Sequence, residues 1–218
     1  MSSSTCSGLS LVLASASPRR RELLPALGVP FTVQSAGVDE TPPSGAAPDR
    51  AAAAIVARKA EAALAAAPPG ALILAADTVV AFAGRPLGKP RDAAEARAML
   101  AALAGRAHSV FTAVTLAGAG PCLSETAGTR VVMRRYTAAE IDASIAAGTP
   151  FDKAGAYAIQ DSLLHPVQRC DGCYCNVMGL PLWTVRRLLQ TLAPWLRPTP
   201  PDAALARCAA CPLRQGAG

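Results

Sequence analysis

This sequence predicts a mixed α/β fold, with a twisted sheet flanked by helices around a ligand-sized cleft, and three observations lead to it. Short apolar runs rich in Val, Leu and Thr alternate with alanine-rich stretches of high helix propensity. Two of those runs, Ser109 to Leu116 and Thr126 to Met133, follow one another across Gly118 to Pro121, as paired strands do. Hydrophobic residues make up 51% of the 218 residues and aromatic ones only 4%, so the core must be filled by aliphatic side chains and packed alanine. That composition suits helices laid on a sheet.

In chain order, Leu9 to Ala14 reads as a strand that passes through Ser15-Ala16-Ser17-Pro18 into a helix, Arg19 to Leu27, ending at Gly28. Asp49 to Ala67 is helical by propensity and stops at Pro68-Pro69-Gly70. Ala71 to Ala81 reads as a buried strand, in which Asp77 is the lone acid. Capping boxes at Asp92 with Glu95 and Thr137 with Glu140 each open a helix, and these close at Gly105 and Gly148. Pro181 to Leu192 is the last helix. Beyond Pro194 the prolines Pro198, Pro200 and Pro201 precede an alanine stretch with two cysteines, so the core is expected to end near Leu196. The expected organisation is one domain, 1–196, and a tail, 197–218, with no internal repeat.

The net charge is +6 and the sequence pI is near 9.2, which favours anionic ligands. Part of that charge lies in the tail, where Arg197, Arg207 and Arg214 face only Asp202, so the body is moderately basic. Aromatic residues for base stacking are scarce, so a phosphate-bearing small molecule fits better than nucleic acid. Met1 to Ser10 has neither the cationic start nor the apolar run of a secretory signal. Ala62 to Ala76 is broken by Pro68, Pro69 and Gly70 and is too short to span a bilayer. Seven cysteines without an export signal point to a reducing, cytoplasmic setting, with thiols free or metal-bound.

Ser15-Ala16-Ser17-Pro18-Arg19-Arg20-Arg21 joins a strand to a helix. Small residues there let backbone N–H groups approach an anion, and the arginine forks match phosphate oxygens. It is not a Walker A loop, and the plainer alternative is a capped helix with a solvated basic first turn. Cations at a helix N-terminus are unfavourable without an anion to offset them, which favours the phosphate reading. Asp77, followed by Thr78, is either a metal ligand or general base, or else a turn cap at a sheet edge. Lys59 and Lys89, each taken alone, read as surface residues. His108 and His165 lie far apart with no nucleophile motif around them, so a histidine-based triad has little support. Cys170-x-x-Cys173-x-Cys175 and Cys208-x-x-Cys211 look like two halves of a structural zinc site, with the five thiols supplying four thiolates that pin the tail to the body. The alternative is buried free thiols beside a loosely ordered tail.

Five blocks, read together, resemble the Maf family of nucleotide pyrophosphatases. They are Leu13-Ala14-Ser15-Ala16-Ser17-Pro18-Arg19-Arg20, Ala76-Asp77-Thr78-Val79-Val80, Gly88-Lys89-Pro90, Asp152-Lys153-Ala154-Gly155-Ala156-Tyr157-Ala158-Ile159-Gln160, and Gly172-Cys173-Tyr174-Cys175-Asn176-Val177-Met178-Gly179-Leu180-Pro181-Leu182. Their order covers about Leu9 to Leu192. The resemblance implies an inosine triphosphate pyrophosphatase-like, two-lobed architecture with a central cleft. It also implies hydrolysis of a nucleoside triphosphate to the monophosphate and pyrophosphate with magnesium or manganese. Position by position it makes Asp77 the proton acceptor, and it ties Arg19, Thr78 and Gln160 to substrate choice. Ser15, Arg20, Lys59 and Lys89 become the polyphosphate-binding set, and Glu40 joins Asp77 at the metal. The block ending in Gln160 resembles the dTTP and UTP branch more than the one preferring 7-methyl-GTP.

Asp161 departs from the family's usual glycine, and a carboxylate there could alter base selectivity. The expected partner is a small-molecule nucleotide, with no membrane and no nucleic acid, and a homodimer is the assembly to test for. The competing reading is a nucleotide-binding regulator of septum formation or cell division that does not turn its ligand over.

Overall fold

The computed structural model describes residues 10–35 and 37–215. Leu9 and, apart from Ser10, the N-terminal stretch read above lie outside the described residues. Strands are β1 (Leu11–Ala14), β2 (Phe31–Val33), β3 (Leu72–Phe82), β4 (Arg85–Leu87), β5 (Ala107–Ala117), β6 (Cys122–Met133) and β7 (Val167–Asp171). Among the described residues they form one seven-stranded sheet in the order β2-β1-β3-β5-β6-β7, with β4 paired to the far end of β3. β1 runs parallel to both β2 and β3, and every other pairing is antiparallel, so the sheet is mixed as expected.

The helices are α1 (Pro18–Leu23), α2 (Pro48–Ala66), α3 (Ala93–Leu103), α4 (Ala138–Ala146), α5 (Tyr174–Met178) and α6 (Leu182–Leu192). The period of two along β3 distributes them over its faces. Leu72, Leu74 and Ala76 pack with Leu23, Leu27 and the α6 residues Leu182, Val185 and Leu189, while Ile73, Ala75 and Val79 pack with Ala51, Ala52, Val56, Ala60 and Ala63 of α2. The alanine stripe lets α2 lie close to the sheet, and Lys59 falls within that stripe. Its amine is therefore carried inward, and Lys59 is 7% exposed. A third cluster joins Val80, Val110 and Val131 to Leu100 and Leu103 of α3 and Ile141 of α4.

Local chemistry accounts for the element ends. The expected helix Arg19 to Leu27 becomes α1 followed by a 3-10 turn, Leu24–Leu27, because Pro25 has no N–H to continue the α pattern. Thr137 and Glu140 form a complete capping box, with Glu140 N–H donating to Thr137 Oγ1 at 3.3 Å and Thr137 N–H donating to Glu140 Oε2 at 2.7 Å. At α3 only half of the box forms: Asp92 accepts from Glu95 N–H at 2.8 Å, but Glu95 reaches back to the amide of Arg91.

The expectation that the core ends near Leu196 is corrected. Pro201, Cys208 and Cys211 are buried, Thr199 N–H donates to Leu27 O at 2.9 Å, and Trp183 Nε1–H donates to Cys208 O at 2.9 Å. Short 3-10 turns at Pro201–Ala203, Ala206–Cys208 and Pro212–Arg214 satisfy backbone groups locally, which lets a Pro- and Ala-rich segment lie on α5 and α6. Among the described residues no helix is long and apolar enough to cross a membrane.

Candidate active site

The cleft arises where two parallel strands part. β1 ends at Ala14, opposite Ala75, while β3 continues to Phe82. At Asp77 one side of β3 is held by β5, through Ala113, and the other side has lost its neighbour. The chain leaving β1 turns through 15–18 into α1 and leaves a cavity of about 330 Å³ beyond the carboxyl end of β1, against Asp77, Thr78 and Val80 of β3. Open α/β sheets place ligands at such a point.

Asp77 points to the α2 face of the sheet, where Lys59 Nζ meets its Oδ1 at 2.6 Å and Glu40 Oε1 at 2.7 Å. One ammonium thus bridges two carboxylates of unequal burial, since the Asp77 side chain is 10% exposed and that of Glu40 56%. Burial pushes the Asp77 carboxyl above its ordinary pKa, outweighing the pull of Lys59 and Arg20, and Glu40 adds to the rise. Burial also acts to raise Glu40, but there the hydrogen bond and charge of Lys59, with Lys89 and Arg20 behind them, prevail and hold it below its ordinary value. The two acids are therefore driven apart, which separates a proton acceptor from a standing negative charge.

Thr78 points to the opposite face. Thr112 Oγ1 donates to Asn176 O at 2.8 Å, so in its 3.0 Å contact with Thr78 the proton comes from Thr78. Thr78 Oγ1 in turn accepts from Arg20 at 3.1 Å. Arg20 also donates to Gly179 O at 2.8 Å and to Ser15 Oγ at 3.2 Å, and Ser15 Oγ accepts Ser17 N–H at 3.1 Å. This buried guanidinium ties the β1–α1 turn, β3 and the α5–α6 turn together. Gly179 is required at that junction: its φ is +109°, and a Cβ would stand 3.3 Å from Thr78 Oγ1 and 3.5 Å from Arg20 Nε.

The far wall is the segment 152–160, together with Lys89. Gly155 N–H donates to Gly88 O at 3.0 Å, and Arg19 pairs with Asp152 at 3.1 Å across the two walls. Asp161, flagged as a departure, uses Oδ1 to accept the amides of Leu163 at 2.8 Å and Leu164 at 3.0 Å, so that oxygen caps its own turn. Tyr157 lies in this wall with its hydroxyl 2.6 Å from His108 Nε2, and burial lowers the His108 pKa to about 4, which keeps the ring neutral. His165 is exposed on the loop after Asp161, consistent with the absence of a histidine triad.

All nine cleft residues expected from the sequence line this one cavity: Ser15, Arg19, Arg20, Glu40, Lys59, Asp77, Thr78, Lys89 and Gln160. Ser17, Ser35, Asp152, Lys153 and Tyr157 line it as well and were not assigned a role. Ser35 follows β2, a three-residue strand too short to show an alternating pattern. Asp152 and Lys153 could have been noticed as a charged pair directly ahead of the small residues Ala154-Gly155-Ala156.

The cysteine group lies apart from the cleft lining. Cys173, Cys175, Cys208 and Cys211 are buried in the cluster that contains α6, and Cys170 on β7 is half-buried. Among the described residues no three or more His, Cys, Asp or Glu side chains are grouped so that they could hold a metal ion as they stand, so the zinc site expected from the five late cysteines is not formed in this conformation.

A sequence model of the Maf-like protein family matches residues 10–192. Among curated relatives, a dTTP/UTP pyrophosphatase of Thermomicrobium roseum is 52% identical over 206 residues, covering 94% of each chain. One of Myxococcus xanthus is 47% identical over 190 residues, covering 85% of this chain and 95% of its own. Among solved structures, a nucleoside-triphosphatase/dITP/XTP pyrophosphatase from Mycobacterium abscessus is 19% identical, covering 59% of this chain and 76% of that one, with a TM-score of 0.37, too slight a likeness to build on.

Proposed function

This chain belongs to the Maf family, and on that premise we propose that its cleft hydrolyses a pyrimidine nucleoside triphosphate, dTTP or UTP, to the monophosphate and pyrophosphate. The observation that carries the reading is the Lys59 bridge between Asp77 and Glu40, set in a cavity lined by Arg19, Arg20, Lys89 and Lys153. Five basic side chains against three carboxylates leave net positive charge for a polyphosphate.

Asp77 takes the proton of the attacking water. Its bond to Lys59 uses Oδ1, and a carboxylate has further lone pairs to accept with. Three of the five N–H groups of Arg20 are committed to Ser15, Thr78 and Gly179, so two remain for phosphate oxygens. Arg20 both positions the Ser15 turn and contributes charge, while Lys59, Lys89 and Arg19 hold the remaining phosphate charge. Gln160 offers a donor and an acceptor to the base edge. Asp77 and Glu40 are the hard oxygen donors that would hold a magnesium or manganese ion, and two carboxylates plus substrate phosphates form a donor set such ions accept. When bound, that ion neutralises charge on the polyphosphate.

The test of substrate class is kcat/KM for a panel of nucleoside triphosphates with magnesium. dTTP and UTP are expected to exceed the purine triphosphates by about tenfold or more. A best substrate of GTP or 7-methyl-GTP would overturn the base assignment. The non-enzymatic alternative, a regulator of septum formation, requires binding without pyrophosphate release in the same panel.

A further inference from the structure

We propose that Cys173, Cys175, Cys208 and Cys211 form a structural zinc site, separate from the catalytic cleft, that fastens the segment after Leu196 to α5. Spacing alone would pair Cys170 with Cys173. The fold instead buries Cys175 and leaves Cys170 half-exposed on β7. Cys175 Sγ lies 3.5 Å from Cys208 Sγ, and Cys211 is the side chain that most influences the Cys173 thiol. Cys173, which caps α5, and Cys175 within it are therefore each matched with one cysteine of the tail, and Cys175 is also within electrostatic reach of Cys173 and Cys211.

The four sulfurs form two pairs and not a cage, so binding requires the two pairs to close on one another. Tetrahedral zinc–thiolate bonds of ~2.3 Å place sulfurs ~3.8 Å apart, close to the separation that the Cys175–Cys208 pair already has.

Backbone donors point at the sulfurs. Cys173 Sγ accepts the amide of Asn176 at 3.4 Å, and the amides of Cys175 and Leu213 act to favour the charged forms of Cys173 and Cys211 respectively. Amides aimed at sulfur stabilise thiolate charge and orient the ligands, as outer-shell partners of metal sites do. A tetrathiolate zinc centre carries net negative charge. Arg207 lies 4.2 Å from the Tyr174 ring centre and within reach of Cys208, while Asp202, which opposes it, is paired with Arg214 at 3.3 Å. In the binding step four S–H bonds break, four S–Zn bonds form, and four protons leave to solvent with no change of oxidation state.

The consequence for the cleft runs through α5. Its capping residue Cys173 and its own Cys175 flank Tyr174, and the same short helix ends at Gly179, whose carbonyl holds Arg20. A metal there braces one wall of the active site from behind.

The test is elemental analysis of the full chain produced reduced in zinc-supplemented medium, with Cys→Ser variants. About one zinc per chain is expected, retained in Cys122→Ser and Cys170→Ser and lost in Cys208→Ser and Cys211→Ser. Should those two variants fail to fold, the parent stripped of metal and refilled with cobalt is expected to show thiolate-to-cobalt charge-transfer absorption. Three results overturn the proposal: no zinc in the parent with all thiols titrating in the folded state, a parent lighter by two hydrogens from a Cys175–Cys208 disulfide, or zinc retained in the Cys208→Ser, Cys211→Ser double variant.

Discussion

Replacing Asp77 with asparagine is expected to lower turnover of dTTP about a hundredfold to ten-thousandfold while the protein still folds. Asparagine keeps the size of the side chain and can still accept from Lys59, but it takes no proton and offers no full charge to a cation. Lys59 keeps Glu40 as a partner at 2.7 Å, so the change strands no buried ammonium.

Folding raises the Asp77 pKa, chiefly through burial. The stability this group contributes is therefore full below its unfolded pKa and lost as pH rises through the folded one, so the ionised form opposes folding. The variant should accordingly be no less stable than the parent at neutral pH. By the same shift, parent turnover should fall as pH drops through the raised pKa, and that limb should vanish in the residual activity of the variant. Thermal unfolding and pyrophosphate release at saturating dTTP and magnesium decide the matter. A folded variant keeping more than about a tenth of the parent rate would remove Asp77 as the base.

Lys59→Met is expected to have the largest effect on stability, a loss of about 3–5 kcal/mol with little activity remaining. Methionine fits the alanine-rich stripe of α2, but it leaves Asp77, 7% exposed, without the ammonium that bonds it at 2.6 Å. Burial then acts on Asp77 against a weaker opposing charge, so its pKa rises further. Because a raised acid pKa gives stability that is lost as pH rises, the deficit should be larger at pH 8 than at pH 5. Adding Asp77→Asn should recover most of the stability and none of the activity. Urea midpoints of the parent, both single variants and the double variant measure this coupling. A single variant within about 1 kcal/mol of the parent would show that the bridge does not hold the carboxylate as described.

Lys59 also marks where the sequence stopped being legible. Taken alone it read as a surface residue, because its alanine neighbours reveal no face, and only the register of α2 against β3 shows that its position falls in the buried stripe. The two long antiparallel strands, the Thr137 cap and Asp77 were readable because alternation, capping and a lone acid in an apolar run are local signals. β2, β4 and β7 were not, since two of them span three residues each and β7, Val-Gln-Arg-Cys-Asp, shows no apolar alternation. Arg20 was readable as a cation near phosphate, but its link to Gly179 spans 159 residues and depends on tertiary packing. The buried tail was missed for a related reason: prolines and alanines suggest a linker, and its burial rests on contacts to Trp183 and Leu27 made across the fold.

The central claim is that this cleft releases pyrophosphate as a unit from a pyrimidine nucleoside triphosphate. Phosphorus NMR of a reaction with dTTP and magnesium tests it most directly, and the expected spectrum shows dTMP and pyrophosphate rising together in equal amounts. Orthophosphate appearing with dTDP, or unchanged dTTP in the presence of folded protein, would contradict it.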